Sequence, residues 1–401
     1  MAELYSLPDG WKWKKLGELT EVNIGKTPSR SKSEYFLGNK IWLSIRDLKS
    51  DYISDSNEKI TDEAIKTSNM KVIPKGTLLM SFKLTLGKTA FADCDLYTNE
   101  AIASLPIKNE NVIDKYFLKY SINVIDLEKE VDNAVKGKTL NKEKIKNLDI
   151  PLPPLEEQKR IVAKLDNLFA KIDKAIALHQ KNIDEANVFM ASVLNDVFVE
   201  LEEKYGLNIL SEVVKINSGI ALPSIFKDKE SMNGEYEFFK VAQMNNDKRV
   251  MKGADLNFTL NQSKEFKIKL FPKGSILIPK RGGAILTNKK RIMERDASYD
   301  SNIMGLKADN KILSDEFLFV YLDSINLCDF VDTSTIPQIN NKHIDMMNIS
   351  LPPLKTQQKV VSYLDEISNK MEKIKNLQKK KMQSLKALKA SILDKAFKGE
   401  L

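Results

Sequence analysis

Residues 150–166 read IPLPPLEEQKRIVAKLD, and residues 349–365 read ISLPPLKTQQKVVSYLD. The offset between them is 199, close to half of the 401-residue chain. The same offset holds at the far end of the following segment, where ASVLNDVF (191–198) faces ASILDKAF (390–397), so no insertion or deletion separates the two points. Self-similarity at a fixed offset marks a tandem repeat.

The Pro-Pro pair that opens each copy cannot lie inside a helix but suits its first turn. Helical periodicity then runs for about 42 residues, which at 1.5 Å per residue is about 60 Å of helix. In the first copy Val162, Leu165, Phe169, Ile172, Ile176, His179, Ile183, Ala186, Met190, Val193 and Val197 alternate spacings of three and four, a heptad seam. The second copy is less regular, with Val360, Leu364, Ile367, Met371 and Ile374, then Gln378, Met382, Leu385, Leu388 and Ile392. A long helix with such a stripe needs a partner, and the other copy is the nearest one. Antiparallel pairing of the two gives a pseudo-twofold chain and brings together the helix middles, where His179 and Gln378 are equivalent.

Upstream, the repeat weakens. LGELTEVNIG (16–25) faces LSEVVKINSG (210–219), and IPKGTLLMS (73–81) faces FPKGSILIP (271–279), with offsets that drift from 194 to 198. The N-terminal part of each unit, about 10–149 and 207–348, mixes short β-like runs such as 40–45, 77–81 and 275–278 with turns. Apolar helical runs follow at 114–127 and 315–330. The expected fold is α+β: two tandem domains, 1–152 and 201–350, each followed by a long helix, 153–200 and 351–401, the helices pairing as an antiparallel coiled coil. Variable loops on a constant frame are what a modular reader requires.

Composition sets bounds on function. With 42% hydrophobic and 29% charged residues the chain is of the soluble globular kind. Sixty-three Lys and Arg against 55 Asp and Glu give a net charge of +8, compatible with a polyanionic partner. The two cysteines, Cys94 and Cys328, form no metal or disulfide pattern and are expected to be buried thiols in a reducing compartment. Neither a signal pattern at the N-terminus nor a run of about 18 apolar residues is present, so a cytoplasmic protein without membrane contact is expected.

Catalytic constellations are missing. Gly-Lys-Thr occurs at 25–27, 87–89 and 137–139, but the glycine that a phosphate loop needs five positions earlier is Thr20, Phe82 or Asp132. Two histidines, His179 and His343, cannot build a triad or a metal cluster. Glu63 and Lys66 resemble a nuclease fragment only superficially, and the 379–381 lysine run reads as a solvated helix face.

Were the polyanionic partner that the charge allows a nucleic acid, base reading would call for Arg or Lys against guanine and Asn or Gln against adenine, on loops positioned by phosphate contacts. In the first unit the candidates are Lys26, Arg30, Lys32, Arg46, Lys83, Thr85 and Lys88. In the second they are Gln243, Asn245, Asn246, Lys280, Arg281, Asn288, Lys289 and Arg291. Both sets follow corresponding strands.

LPDGWKWKKLGEL near the start, the two Leu-Pro-Pro-Leu segments quoted above and the terminal AFKGEL together resemble the specificity subunit of type I restriction-modification systems, and the likeness covers essentially the whole chain. That resemblance implies two target-recognition domains alternating with two long helices. It implies a non-catalytic chain that reads a bipartite site in double-stranded DNA and recruits two modification and two restriction subunits. S-adenosylmethionine, ATP and Mg would then belong to those partners, with no cofactor on this chain. The second copy departs from the first at Lys355-Thr356-Gln357, against Glu156-Glu157-Gln158. A reading of a different kind is a coiled-coil adaptor whose flanking domains bind protein without DNA specificity.

Overall fold

The computed structural model describes residues 5–127, 132–134, 137–226, 234–331 and 336–401, with backbone alone at 132–134 and 137–139. The chain forms two compact units, Met1–His179 with Lys380–Leu401, and Gln180–Lys379. Each long helix is therefore shared between units, and each unit contains a stretch of both.

In the first unit a five-stranded sheet has the order Asn23–Ile24, Ile102–Leu105, Leu78–Ser81, Thr89–Ala92, Tyr52–Ile53. A three-stranded sheet has the order Glu58–Ile60, Lys40–Leu43, Tyr97–Thr98, with Trp42 and Leu43 pairing in parallel with Tyr97 and Thr98. The second unit repeats this plan. A four-stranded sheet runs Val214–Ser218, Ile303–Ala308, Ile276–Pro279, Arg291–Ile292, and a three-stranded one runs Leu256–Phe258, Tyr236–Phe239, Ser298–Tyr299. Here Phe238 and Phe239 pair in parallel with Ser298 and Tyr299. The β-like runs of the sequence thus sit at equivalent places, although 40–45 ends as a strand at Leu43 and turns at Ile45–Asp47.

The helical runs after the sheets become Lys115–Val124 and Asp315–Ser324, each opened by a side-chain cap. Asp114 accepts from the backbone N–H groups of Tyr116 and Phe117, and Ser314 accepts from that of Phe317. Short antiparallel ladders, Lys12–Lys15 with Asp149–Leu152 and Asn208–Ile209 with Asn348–Ile349, then return the chain to the start of its long helix.

Those helices are Leu155–Tyr205 and Leu354–Phe397. Within the first unit Arg160 lies by Leu401 and Asp173 by Lys389, so the helix segments run antiparallel. Within the second unit Asn187 lies by Lys375, while Val193 and Leu201 share a cleft with Val360 and Tyr363, again antiparallel. Leu165 and Leu364, equivalent in the repeat, are 0% and 2% exposed. Complete burial of one such leucine stabilises by about 1.5–3 kcal/mol.

The first helix follows its predicted seam: Val162, Leu165, Phe169, Ile172 and Ile183 are buried, and Ile176, His179, Met190 and Val193 half-buried. In the second helix Leu364 is buried, and Val360, Ile367, Met371, Gln378, Leu385 and Ile392 are half-buried. Val361, the true counterpart of Val162, is the more deeply buried of the valine pair. Two expectations need correction. Ile374 and Leu388 are 40% and 48% exposed, whereas the side chains of Lys375 and Lys389 are 21% and 34% exposed. The seam runs 371, 375, 378, 382, 385, 389, 392, and its two lysines lay their methylene stems along the partner while the ammonium groups reach Asn187 and Asp173. Neither cysteine is buried as expected; both are half-exposed, and burial together with Asp93 and Asp95 raises the Cys94 thiol pKa.

Candidate nucleic-acid interface

The loops that follow equivalent strands carry the candidate readers, and their side chains divide into committed and available groups. In the first unit Lys26 donates to the carbonyls of Ser68 and Asn69, closing the end of the short helix Asp62–Thr67. Arg30 forks onto Glu58 at 2.5 and 2.9 Å and lies over the rings of Phe36 and Trp42. That carboxylate raises the Arg30 pKa, and the pair fixes the turn ahead of strand Lys40–Leu43. Lys32 donates to the Tyr35 hydroxyl at 3.0 Å. These three are exposed yet already engaged.

Arg46 is exposed in the turn after that strand. Lys83, Thr85 and Lys88 sit on the hairpin loop between strands Leu78–Ser81 and Thr89–Ala92. The loop is closed by Ser81, whose backbone N–H donates to Lys88 O and whose hydroxyl donates to Thr85 O, and Leu84 at its tip has φ of 61°. Lys88 also borders a cleft of about 600 Å³ shared with Lys119, Tyr120, Asp166 and Lys389.

The second unit corrects three expectations. Gln243 is 5% exposed; its side-chain oxygen accepts from the Lys240 N–H and its amide donates to Asp255, so it caps a turn from within. Asn288 occupies a left-handed turn and ties Ile325, Leu327 and Lys290 together. Arg291 is 7% exposed, donates to the Lys290 carbonyl, and has its pKa lowered by burial. Gln243 and Arg291 are thus buried in the scaffold, and the half-exposed Asn288 is committed to it by its hydrogen bonds. Lys290 is more buried still, donating to Asn288 and to the Ile325 carbonyl, and burial lowers its pKa to about 8.

Lys289 and Asn245 come together as a hydrogen-bonded pair. Asn246 holds the carbonyls of Lys252 and Gly253, and Lys280 donates to the Ser218 hydroxyl at 2.9 Å. Arg281 is exposed and bridges across an isolated β-contact to Gln338. Gln338 was not among the expected readers, because the contact joins segments 57 positions apart and no local pattern announces it. His343 has an ordinary role, its Nδ1 accepting from the Asn340 N–H at a helix start.

A chain of two α+β units built on one plan, each carrying basic side chains, and the second also amides, on the loops after corresponding strands, and each closed by a pair of long antiparallel helix segments, defines a duplicated recognition protein. The family model for the type I restriction modification DNA specificity domain matches it twice, over residues 8–186 and 203–382. The chain belongs to that family. Among similar proteins, the MjaIX specificity subunit of Methanocaldococcus jannaschii is 26% identical over 100% of this chain and 95% of its own length. The StySPI specificity subunit of Salmonella potsdam is 24% identical over 98% of this chain and 90% of its own. The solved HsdS subunit from Thermoanaerobacter tengcongensis shares the fold with a TM-score of 0.56 at 22% identity, over 99% of each chain. A chain solved in work on complex assembly and conformational transition of the type I R-M system shares it with a TM-score of 0.79 at 23% identity, covering 99% of this chain and 100% of that one.

Proposed function

We propose that this specificity subunit reads a bipartite site in double-stranded DNA, one half by each unit, and itself performs no catalysis. The observation that carries the proposal is the internal one: two units share one frame, down to the same three hydrogen bonds made by a buried glutamine at the head of each long helix, while their loops differ. A frame repeated under divergent loops allows two different half-sites to be read by one kind of scaffold. Membership of the specificity-domain family supports the same reading.

By this reading the chain positions two modification and two restriction subunits on the site. S-adenosylmethionine, ATP and Mg then serve chemistry on those partners, with none held here. The expected setting is the cytoplasm; among the described residues no helix is long and apolar enough to cross a membrane.

Selection of duplex DNA from a random pool, with the native chain and with a chain whose residues 207–348 come from a relative, tests the proposal. One half of the selected motif should change and the other persist, because each reader has its own core. Affinity should also fall steeply with salt as phosphate counterions are released. A flat salt response with no selected motif would favour a protein-binding adaptor instead.

A further inference from the structure

We propose that Arg281 and Gln338 form a base-reading pair of the second unit, Arg281 addressing a guanine and Gln338 an adenine at the adjacent step of the major groove. This deepens the DNA-reading proposal and rests on it.

The pairing geometry is the starting point. Arg281 and Gln338 face each other across an isolated antiparallel bridge. The flanking bonds run from Gly282 N–H to the Pro337 carbonyl at 2.8 Å and from Ile339 N–H to the Lys280 carbonyl at 2.9 Å. The two residues are thus a non-hydrogen-bonded pair, the closer kind, whose Cα atoms stand about 4.5 Å apart with side chains on one face. That separation suits neighbouring base pairs, which rise about 3.4 Å per step.

Chemistry selects these two from their surroundings. Arg forks onto guanine O6 and N7, and Gln onto adenine N7 and N6, the two bidentate pairings that the major groove rewards. Both side chains are exposed, and among the described residues neither has a hydrogen-bond or ion-pair partner. The other Arg, Gln and Asn candidates of this unit are spent: Gln243 and Arg291 are buried, Asn288 and Asn246 hold backbone carbonyls, and Asn245 holds Lys289. The backbone beneath the pair is firm. Pro337 and Ile339 are buried on either side of Gln338, and Gly282, with φ of 74° and open space around its Cα, lets the chain turn away directly after Arg281. A bidentate reader needs such a fixed base and a free end.

Random-pool selection with purified full-length chain provides the test, comparing native protein with Arg281→Ala and Gln338→Ala. Arg281→Ala should erase the preference for guanine at one position of one half-site, lowering discrimination there roughly ten- to hundredfold. Gln338→Ala should do the same for adenine at the neighbouring position. The other half-site, unchanged in both variants, reports that the protein is folded. Native motifs in both variants would overturn the pair while leaving the DNA-reading proposal intact. A uniform loss of affinity over all sequences with a shallower salt slope would also overturn it, since it would mark phosphate contacts. Absence of any motif with the native chain would remove both proposals together.

Discussion

Gln158 and Gln357, 199 positions apart in sequence, make the same three hydrogen bonds. Each side-chain oxygen accepts from the backbone N–H that opens the preceding helix region, Asp114 or Ser314, at 2.8 Å. Each amide donates to two carbonyls, Val112 and Pro153 in one unit, Ile312 and Pro352 in the other. Both side chains are 0% exposed. The glutamine therefore locks the head of the long helix to the reader, and it survives the change from Glu-Glu-Gln to Lys-Thr-Gln that surrounds it.

Removing this lock leaves an N–H and two carbonyls without their partner, and the proline carbonyl of each set, Pro153 or Pro352, loses a fully buried bond. Gln158→Leu or Gln357→Leu should each destabilise its unit by about 2–3 kcal/mol, the cost of unsatisfied buried groups less the gain from apolar packing. Chemical denaturation would read the change. A loss below about 0.5 kcal/mol, the usual size of a surface change, would show that the lock is dispensable.

Gly25 and Gly219 stand at matched places at the end of the first strand of each sheet. A Cβ at Gly25 would fall on the carbonyls of Thr98 and Asn99, and one at Gly219 on those of Tyr299 and Asp300, all backbone atoms well under 3.0 Å away. Rigid backbone cannot yield as a side-chain tip can. Gly25→Ala and Gly219→Ala are each expected to cost more than about 2 kcal/mol, in the range of overpacking. Gly283→Ala, which meets nothing within 4 Å, is the control that should change stability little.

Lys290 gives a pH dependence with a definite sign. Its pKa falls from 10.5 in the unfolded chain to about 8 in the folded one, because burial penalises the ammonium. Between those values the unfolded state binds the extra proton, so stability rises with pH across that window. Below pH of about 8 the penalty is present in full. Compared with Lys290→Met, the native protein should gain on the order of 2–3 kcal/mol between pH 8 and 10.5. A gap between the two proteins that stays constant over that range would mean that the lysine keeps its proton in both states.

The frame was legible in the sequence because burial imposes periodicity. Val162 to Val193 repeat as a helix must if one face is covered, and the Leu-Pro-Pro-Leu segments announce where each helix starts. Lys375 and Lys389 escaped notice because hydropathy ranks lysine as outside, while its methylene stem packs like an aliphatic residue and only its tip needs water or a carboxylate. The reader was less legible, and two glutamines show why. Gln243 and Gln338 are chemically identical, but one ends inside, bound to Asp255, and the other outside beside Arg281. Which fate applies depends on pairing between distant segments, and residue type carries no record of it.

Asp166 and Asp365, again at matched positions of the two long helices, hold the reader by different means. Asp166 accepts from the Tyr120 hydroxyl at 2.5 Å, and burial with this carboxylate raises the tyrosine pKa. Asp365 pairs with Arg249 at 2.8 Å, the guanidinium lying over Phe319. A hydroxyl-to-carboxylate bond is local and changes little with ionic strength, whereas a pair of charges, each about two-fifths exposed, is screened as the Debye length shrinks from about 10 Å at 0.1 M salt to about 3 Å at 1 M. Double-mutant cycles should therefore diverge. The coupling between Tyr120→Phe and Asp166→Ala should stay near 1 kcal/mol at both salt concentrations. That between Arg249→Met and Asp365→Ala should start below about 1 kcal/mol and fall toward zero. Equal salt dependence in the two cycles would show that the second strut does not act through charge. If the divergence is found, one carboxylate on a constant helix serves two unrelated partners, which is how a fixed frame can accept a reader of altered sequence without moving it.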